Sequence, residues 1–373
     1  VRDAQSADAA IRGWCPTAWR PMAAGDGLLV RVRPSFGRLS IAQTLGLSKA
    51  AHRYGNGLVD LTNRAALQIR GVTEQSHRPL LERLVALGLT DPDPARESRR
   101  NFLLNPDWST GDDTESIAQN LLGRIDDLPD LPPKIGIAID IGPAPALTHV
   151  PADFRFERSE TGALLLRAEG RTFGTPTSIE TAAQDLTALA RWFLDTGGAS
   201  SGRIARHKAP LPLAPTIAPA HPRTLQQLLA QAPGPFHGLP FGQIDADGLA
   251  ALAESPGVIG LRLTPWRGLI LEGGTISPVP TEPPLLIDAC PGAPACPQAS
   301  VATRDLATRL APFVSGSLHI AGCAKGCARP RHADIVLTGR QGRFDLARKA
   351  RAGSPPERTG LTPVQILALF GSP

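Results

Sequence analysis

Four of the five cysteines fall in one stretch, Asp288-Ala-Cys290-Pro-Gly-Ala-Pro-Ala-Cys296-Pro and His319-Ile-Ala-Gly-Cys323-Ala-Lys-Gly-Cys327-Ala-Arg-Pro, spaced C-x5-C and C-x3-C. This spacing constrains the chain more than any other feature, because the fold must bring two Gly/Pro-rich loops together so that four thiols converge. Four thiolates can each take one iron of a [4Fe-4S] cubane, and glycine lets backbone N–H groups come close to the inorganic sulfides. The expected ligand set is Cys290, Cys296, Cys323 and Cys327. Structural zinc fits less well, since its knuckles favour shorter C-x2-C spacing. Disulfides need an oxidising compartment, and an odd cysteine count without a secretion signal argues against one.

The rest of the composition narrows the class. A chain of 373 residues can bury a large core and form several compact units. Its net charge of +5 suits anionic ligands, but the basic residues are dispersed and not interleaved with aromatics, so nucleic acid is not an expected partner. No run approaches the ~18 apolar residues of a membrane helix. A soluble, cytoplasmic protein is expected, with no membrane association. The 37 glycines and 37 prolines fall between periodic segments, as in a turn-rich fold of mixed helices and strands.

Read in order, Leu28 to Val32 has the character of a strand entered through Gly25-Asp-Gly27, which places Arg31 and Arg33 on one face. A solvated face competes there with ligand contact. Ser40 to Tyr54 predicts a helix capped by Ser40. Two short strands follow around the elbow Thr62-Asn-Arg64, then a helix near Glu74 to Leu87. The unit recurs: Gly238 to Ile244 reads as a strand, Asp245 to Ala253 as a helix, and Ile259 to Leu271 as the strand pair with its elbow. In register, Thr62 falls on Thr264, Leu67 on Leu269 and Ile69 on Leu271, while Arg64 falls on Trp266 and Arg267 sits one place later. Each repeat is followed by a larger segment. The first includes Leu131 to Asp140, which reads as a buried strand, and an amphipathic helix over Thr181 to Leu194; the second ends in a strand at Asp334 to Thr338 and a helix opened by Thr362-Pro363.

The paired cysteine motifs, flanked by His319 and Arg329, resemble the cluster signature of the sulfite and nitrite reductase superfamily. That resemblance implies an α+β, nitrite/sulfite reductase-like fold of two pseudo-symmetric halves, each a ferredoxin-like half repeat plus a larger α/β segment. The expected division is a first half repeat over 12–90, a first reductase-like α/β domain over 95–202, a linker over 203–234, a second half repeat over 235–280 and an iron–sulfur α/β domain over 281–373. It also implies that Arg64, Arg100 and Lys134 stand at the active site. The superfamily's reductases carry a second lysine two residues on, where this chain has Gly136. Six-electron reduction of a small anion needs concentrated positive charge and proton donors, so the exchange removes a donor and makes room for a larger substrate.

A closer resemblance agrees with that exchange. Gly13-Trp-Cys15-Pro, Arg20-Pro-Met, Gly25-Asp-Gly-Leu-Leu-Val-Arg-Val-Arg-Pro34 and Gly322-Cys-Ala-Lys-Gly-Cys-Ala-Arg-Pro330 are similar to the precorrin-3B synthase family of aerobic cobalamin synthesis. This implies an oxygen-dependent monooxygenase that hydroxylates precorrin-3A at C20 with closure of a γ-lactone. It would use a [4Fe-4S] cluster, O2, an electron-donating reductase and NADH as ultimate donor. The substrate bears many carboxylates, which Arg31, Arg64, Arg70, Arg100 and Lys134 could hold. The family also implies a mononuclear non-haem iron, for which the sequence offers no two-His-one-carboxylate set. Sirohaem is expected only under the alternative, a sulfite or nitrite reductase. Cys15 belongs to the N-terminal signature but has no partner in sequence and reads as a buried, inert thiol.

Overall fold

The computed structural model describes residues 15–275 and 286–371; Gly13 and Trp14 of the N-terminal signature lie outside the described residues. The first half opens with a hairpin of β1 (Met22–Ala24) and β2 (Gly27–Val32). After a single 3-10 turn come β3 (Arg38–Ser40), α1 (Ile41–Tyr54), β4 (Leu58–Leu61), β5 (Leu67–Val72) and α2 (Glu74–Ala86). Helix α1 starts where expected because Ser40 and Gln43 form a reciprocal capping box.

The next unit contains α3 (Pro94–Arg99), β6 (Phe102–Leu104), α4 (Asp113–Gly123), β7 (Ile137–Asp140), β8 (Phe154–Arg158), β9 (Leu164–Ala168), β10 (Thr175–Pro176) and α5 (Ala182–Asp195). Strands β6, β7 and β8 are parallel, and β9 and β10 extend the sheet antiparallel. Strand β7 begins only at Ile137 and not at Leu131, because Pro132 and Pro133 have no N–H, the Ile135 N–H closes a turn on Pro132 O at 2.9 Å and the Gly136 N–H goes to the Asp153 side chain. Helices α4 and α5 bury Ile117, Leu121, Leu186 and Phe193 against Ile137, Phe154 and Phe156. Short helices α6 (Gly198–Ser201) and α7 (Leu225–Leu229) follow. Between them the Pro-rich chain lies on the same unit, through Arg203 to Asp153 at 2.8 Å and a bridge from Gly174 to Ile217.

The second half repeats the first. The stretch Gly238 to Ile244, expected as one strand, is split into β11 (Phe236–Gly238) and β12 (Gln243–Asp245) by a turn at Pro240–Gly242. Phe241 is left-handed there at φ 55°, as Phe36 is at φ 57° in the first half. These turns throw the next strand onto the other half's sheet. With α8 (Ala246–Ala253), β13 (Gly260–Leu263) and β14 (Gly268–Glu272) in place, β3 pairs with β13, Leu39 opposite Leu261. Reciprocally β12 pairs with β4, Ile244 opposite Val59. The sheets are thus β1-β2-β5-β4-β12 and β11-β14-β13-β3. Helices α1 and α8 pack together, the Ser48 hydroxyl donating to the Ala246 carbonyl at 2.7 Å.

The last unit comprises β15 (Ile287–Ala289), α9 (Arg304–Leu310), β16 (Leu318–Ala321), β17 (Ala333–Arg340), β18 (Arg343–Ala350), β19 (Arg358–Leu361) and α10 (Pro363–Leu369). Three parallel strands again precede two antiparallel ones, in the spatial order seen from β6 to β10. No helix among the described residues is long and apolar enough to cross a membrane.

Leu261 is fully buried on a strand held by both halves. Leu261→Ala should cost about 2–5 kcal/mol in urea unfolding. A loss far below that range would show that the exchanged pairing contributes little.

Candidate functional site

Strands β15 and β16 are parallel neighbours, Asp288 opposite His319, and both cysteine loops leave their carboxyl ends. The crevice outside the carboxyl ends of parallel strands is where open α/β sheets bind ligands. The first loop closes through the Cys296 N–H, which donates to Gly292 O at 2.7 Å. Gly322 N–H donates to Cys290 Sγ at 3.1 Å and so ties the second loop to the first. A Cβ on Gly322 would stand 2.5 Å from that of Ala299 and 3.4 Å from Cys290 Sγ, which is why glycine is needed at this approach.

Two of the four thiols are shifted by their surroundings. Burial, and then the charges of Cys296 and Cys323, push the Cys290 thiol up. Cys327 is raised by burial, Lys325 opposing and the other three cysteines adding to the rise. Thiolates gathered this way repel, and a cationic iron core is the kind of partner that offsets the penalty. Among the described residues no three His, Cys, Asp or Glu side chains are grouped to hold one metal ion. A cubane asks for a looser set, each thiolate meeting a different iron, and this donor set fits it.

Both halves hold these loops. Asp288 binds Arg267 and, at 2.7 Å, Arg329. Arg267 also donates to Ala328 O, next to Cys327, at 2.6 Å and to Ile287 O at 3.4 Å. It comes from the second elbow, where it is left-handed at φ 56°. Its structural counterpart is Ala65 at φ 47°, each three residues after a threonine, Thr62 or Thr264, whose N–H closes the turn. The sequence register already set Arg267 one place beyond Arg64, and that was the available signal for it. From the first half, Gly25 N–H donates to Ala295 O at 3.0 Å.

Arg70, expected to face substrate, is buried and turned to internal partners. It binds Asp26 at 2.8 and 2.9 Å, Asp60 at 2.7 Å and Ala295 O at 3.3 Å. Although burial alone would lower its pKa, its bonds to Asp26 and Asp60 leave it raised. Its work here is to brace the C-x5-C loop.

Arg31, Arg33 and Arg64 come close enough to affect one another. Burial and then Arg31 pull Arg33 down to about 10. Arg64 is lowered by burial, with Cys15 and Asp153 opposing and Arg203 and Arg31 adding to the fall. Arg33 was not among the expected contacts, although its place two residues after Arg31 on one strand face was the clue. Arg64 donates through Nη1 and Nη2 to Lys134 O, both at 3.3 Å, while Arg100 holds Glu97 and Ser35 Oγ at 2.9 Å. Lys134 is half-buried in the loop before β7. A cavity of about 320 Å³ opens beside Cys15, Arg33 and Asn101. The N–H of Gly136 donates to Asp153 at 3.1 Å, and a Cβ added there would lie 3.4 Å from Asn101 Nδ2.

Residues 20–87 match the family described as Nitrite/Sulfite reductase ferredoxin-like half domain. The NirA protein of Mycobacterium tuberculosis has a similar fold, with a TM-score of 0.61 at 18% identity over 91% of this chain and 78% of that one. The chain therefore has the nitrite/sulfite reductase-like fold. A precorrin-3B synthase from Sinorhizobium sp is 30% identical, covering 95% of this chain and 86% of the relative. A ferredoxin–nitrite reductase of Synechococcus elongatus is 25% identical, covering 89% and 80%. This chain belongs to the precorrin-3B synthase family, a family of oxidoreductase enzymes.

Arg267→Gly removes the clamp while relieving a left-handed strain of about 1–2 kcal/mol. Iron and acid-labile sulfide per chain should fall sharply with little change in melting temperature. Full cluster content in this variant would detach the elbow from the cysteine loops.

Proposed function

We propose that this protein is a precorrin-3B synthase. It hydroxylates precorrin-3A at C20 with O2 and closes the γ-lactone from the ring A acetate. Electrons originate in NADH and arrive through a reductase. One oxygen atom enters the product and the other leaves as water, a balance that consumes two electrons and two protons from the donor. A [4Fe-4S] cluster held by Cys290, Cys296, Cys323 and Cys327 would supply those electrons singly. Arg31, Arg64, Arg100 and Lys134, with Arg33 added, bind the substrate's acetates and propionates.

The observation that carries this reading is the group of neighbouring cations Arg31, Arg33 and Arg64. Burial and mutual repulsion lower Arg33 and Arg64, and a bound carboxylate relieves that repulsion. Gly136 meanwhile supplies neither charge nor proton where the reductases have lysine, which favours a bulky polyanion over a small one. Incubation with precorrin-3A, an electron donor and labelled O2 should place label in the product. Equal product without oxygen would overturn the oxygenase reading.

Arg64→Ala should weaken tetrapyrrole binding by about 1.5–3 kcal/mol, the scale of a hydrogen bond to a charged group. Unchanged binding would return Arg64 to a purely structural part. Similarity to the nitrite reductase favours a second reading, sirohaem-dependent reduction of sulfite or nitrite. Gly136→Lys separates the two: it should lower tetrapyrrole turnover, whereas under the second reading it should raise sulfite reduction. Sirohaem would also add strong Soret and red absorption bands.

A further inference from the structure

One buried side chain beside the cysteine loops has nothing to bond to. His319 on β16 is fully buried, and neither Nδ1 nor Nε2 has a hydrogen-bond partner. Its natural partner is Asp288, opposite it across the parallel strands, but the two oxygens of Asp288 are taken by Arg267 and Arg329. Burial lowers the imidazole to about 4; Asp288 opposes that shift, and Arg329 and Arg267 reinforce it. The ring is therefore neutral near pH 7, with one N–H to donate and one nitrogen to accept. Buried polar groups without partners are rare in folded proteins and point to a partner that the chain itself does not supply.

The surroundings indicate which one. Gly326 lies between Cys323 and Cys327 and is left-handed at φ 61°. A Cβ placed on it would stand 3.5 Å from His319 Cε1, so the second cysteine loop rests directly on the edge of the imidazole. On the neighbouring strand Asp288 and Cys290 are two residues apart and share a face, which turns His319 toward the same side as the first ligand.

We propose that His319 donates its N–H to a sulfur of the iron–sulfur cluster, inorganic or from Cys323 or Cys327, and thereby raises the cluster's reduction potential. The inference rests on the cluster reading. A donor to sulfur stabilises the more negative, reduced cluster, and such hydrogen bonds are among the levers that set cluster potentials. The role is one of positioning and tuning; His319 is assigned no proton transfer.

The test is a potentiometric titration of the purified holoprotein followed by electron paramagnetic resonance, alongside iron and sulfide analysis. His319→Leu should retain the wild-type iron content, yet its potential should move to a more negative value. His319→Gln keeps an N–H and should fall between the two. A potential unchanged in both variants, with the cluster intact, overturns this inference alone. A wild-type protein without iron and sulfide overturns the cluster reading and this inference with it.

Discussion

The strand exchange between the two halves is the constraint on which the rest of the molecule depends. Neither half closes its own sheet: β3 completes the second and β12 the first, each delivered by a turn that holds a phenylalanine left-handed. The pairing fixes how α1 meets α8, and with it where the two elbows project. One elbow reaches the loop before β7 through Arg64, the other the cysteine loops through Arg267. Parts of the site that are hundreds of residues apart are therefore set against one another by backbone hydrogen bonds.

The cysteine loops show how this scaffold becomes chemistry. Their strands end side by side, glycine allows the close approach at Gly322, and burial together with the neighbouring cysteines raises the Cys290 and Cys327 thiols. Three arginines brace the arrangement: Arg267 and, within the second loop, Arg329 through Asp288, and Arg70 through Asp26, Asp60 and Ala295 O. These buried pairs hold geometry more than they add stability, because desolvation consumes much of their Coulomb energy. The same density of guanidiniums leaves His319 without its carboxylate neighbour.

Much of this was legible in the chain itself, for physical reasons that can be named. Caps and periodicity located α1 and α10, because Ser40 and Thr362 bond locally to residues three places on. The repeat was visible because Thr62 and Thr264 close the same turn. The exchange was not visible, since a strand carries no mark of which sheet it joins, and Gly238 to Ile244 reads as continuous until Phe241 turns it. The internal partners of Arg70 were hidden for a related reason: an arginine on a strand looks the same whether its partner is a ligand or Asp60. His319 gains its meaning only from a neighbouring strand, where Asp288 stands opposite it.

The elbows carry a further consequence. Ala65 and Arg267 occupy one backbone position in two copies of the same motif, with nearly the same left-handed conformation. The methyl group at Ala65 leaves a pocket wall shared with Arg33, Arg64 and Arg100. The guanidinium at Arg267 instead reaches Asp288 and Ala328 and spends its charge there. A single side chain thus breaks an otherwise two-fold design: one copy of the motif lines a pocket among arginines, and the other fastens the protein's own carboxylate.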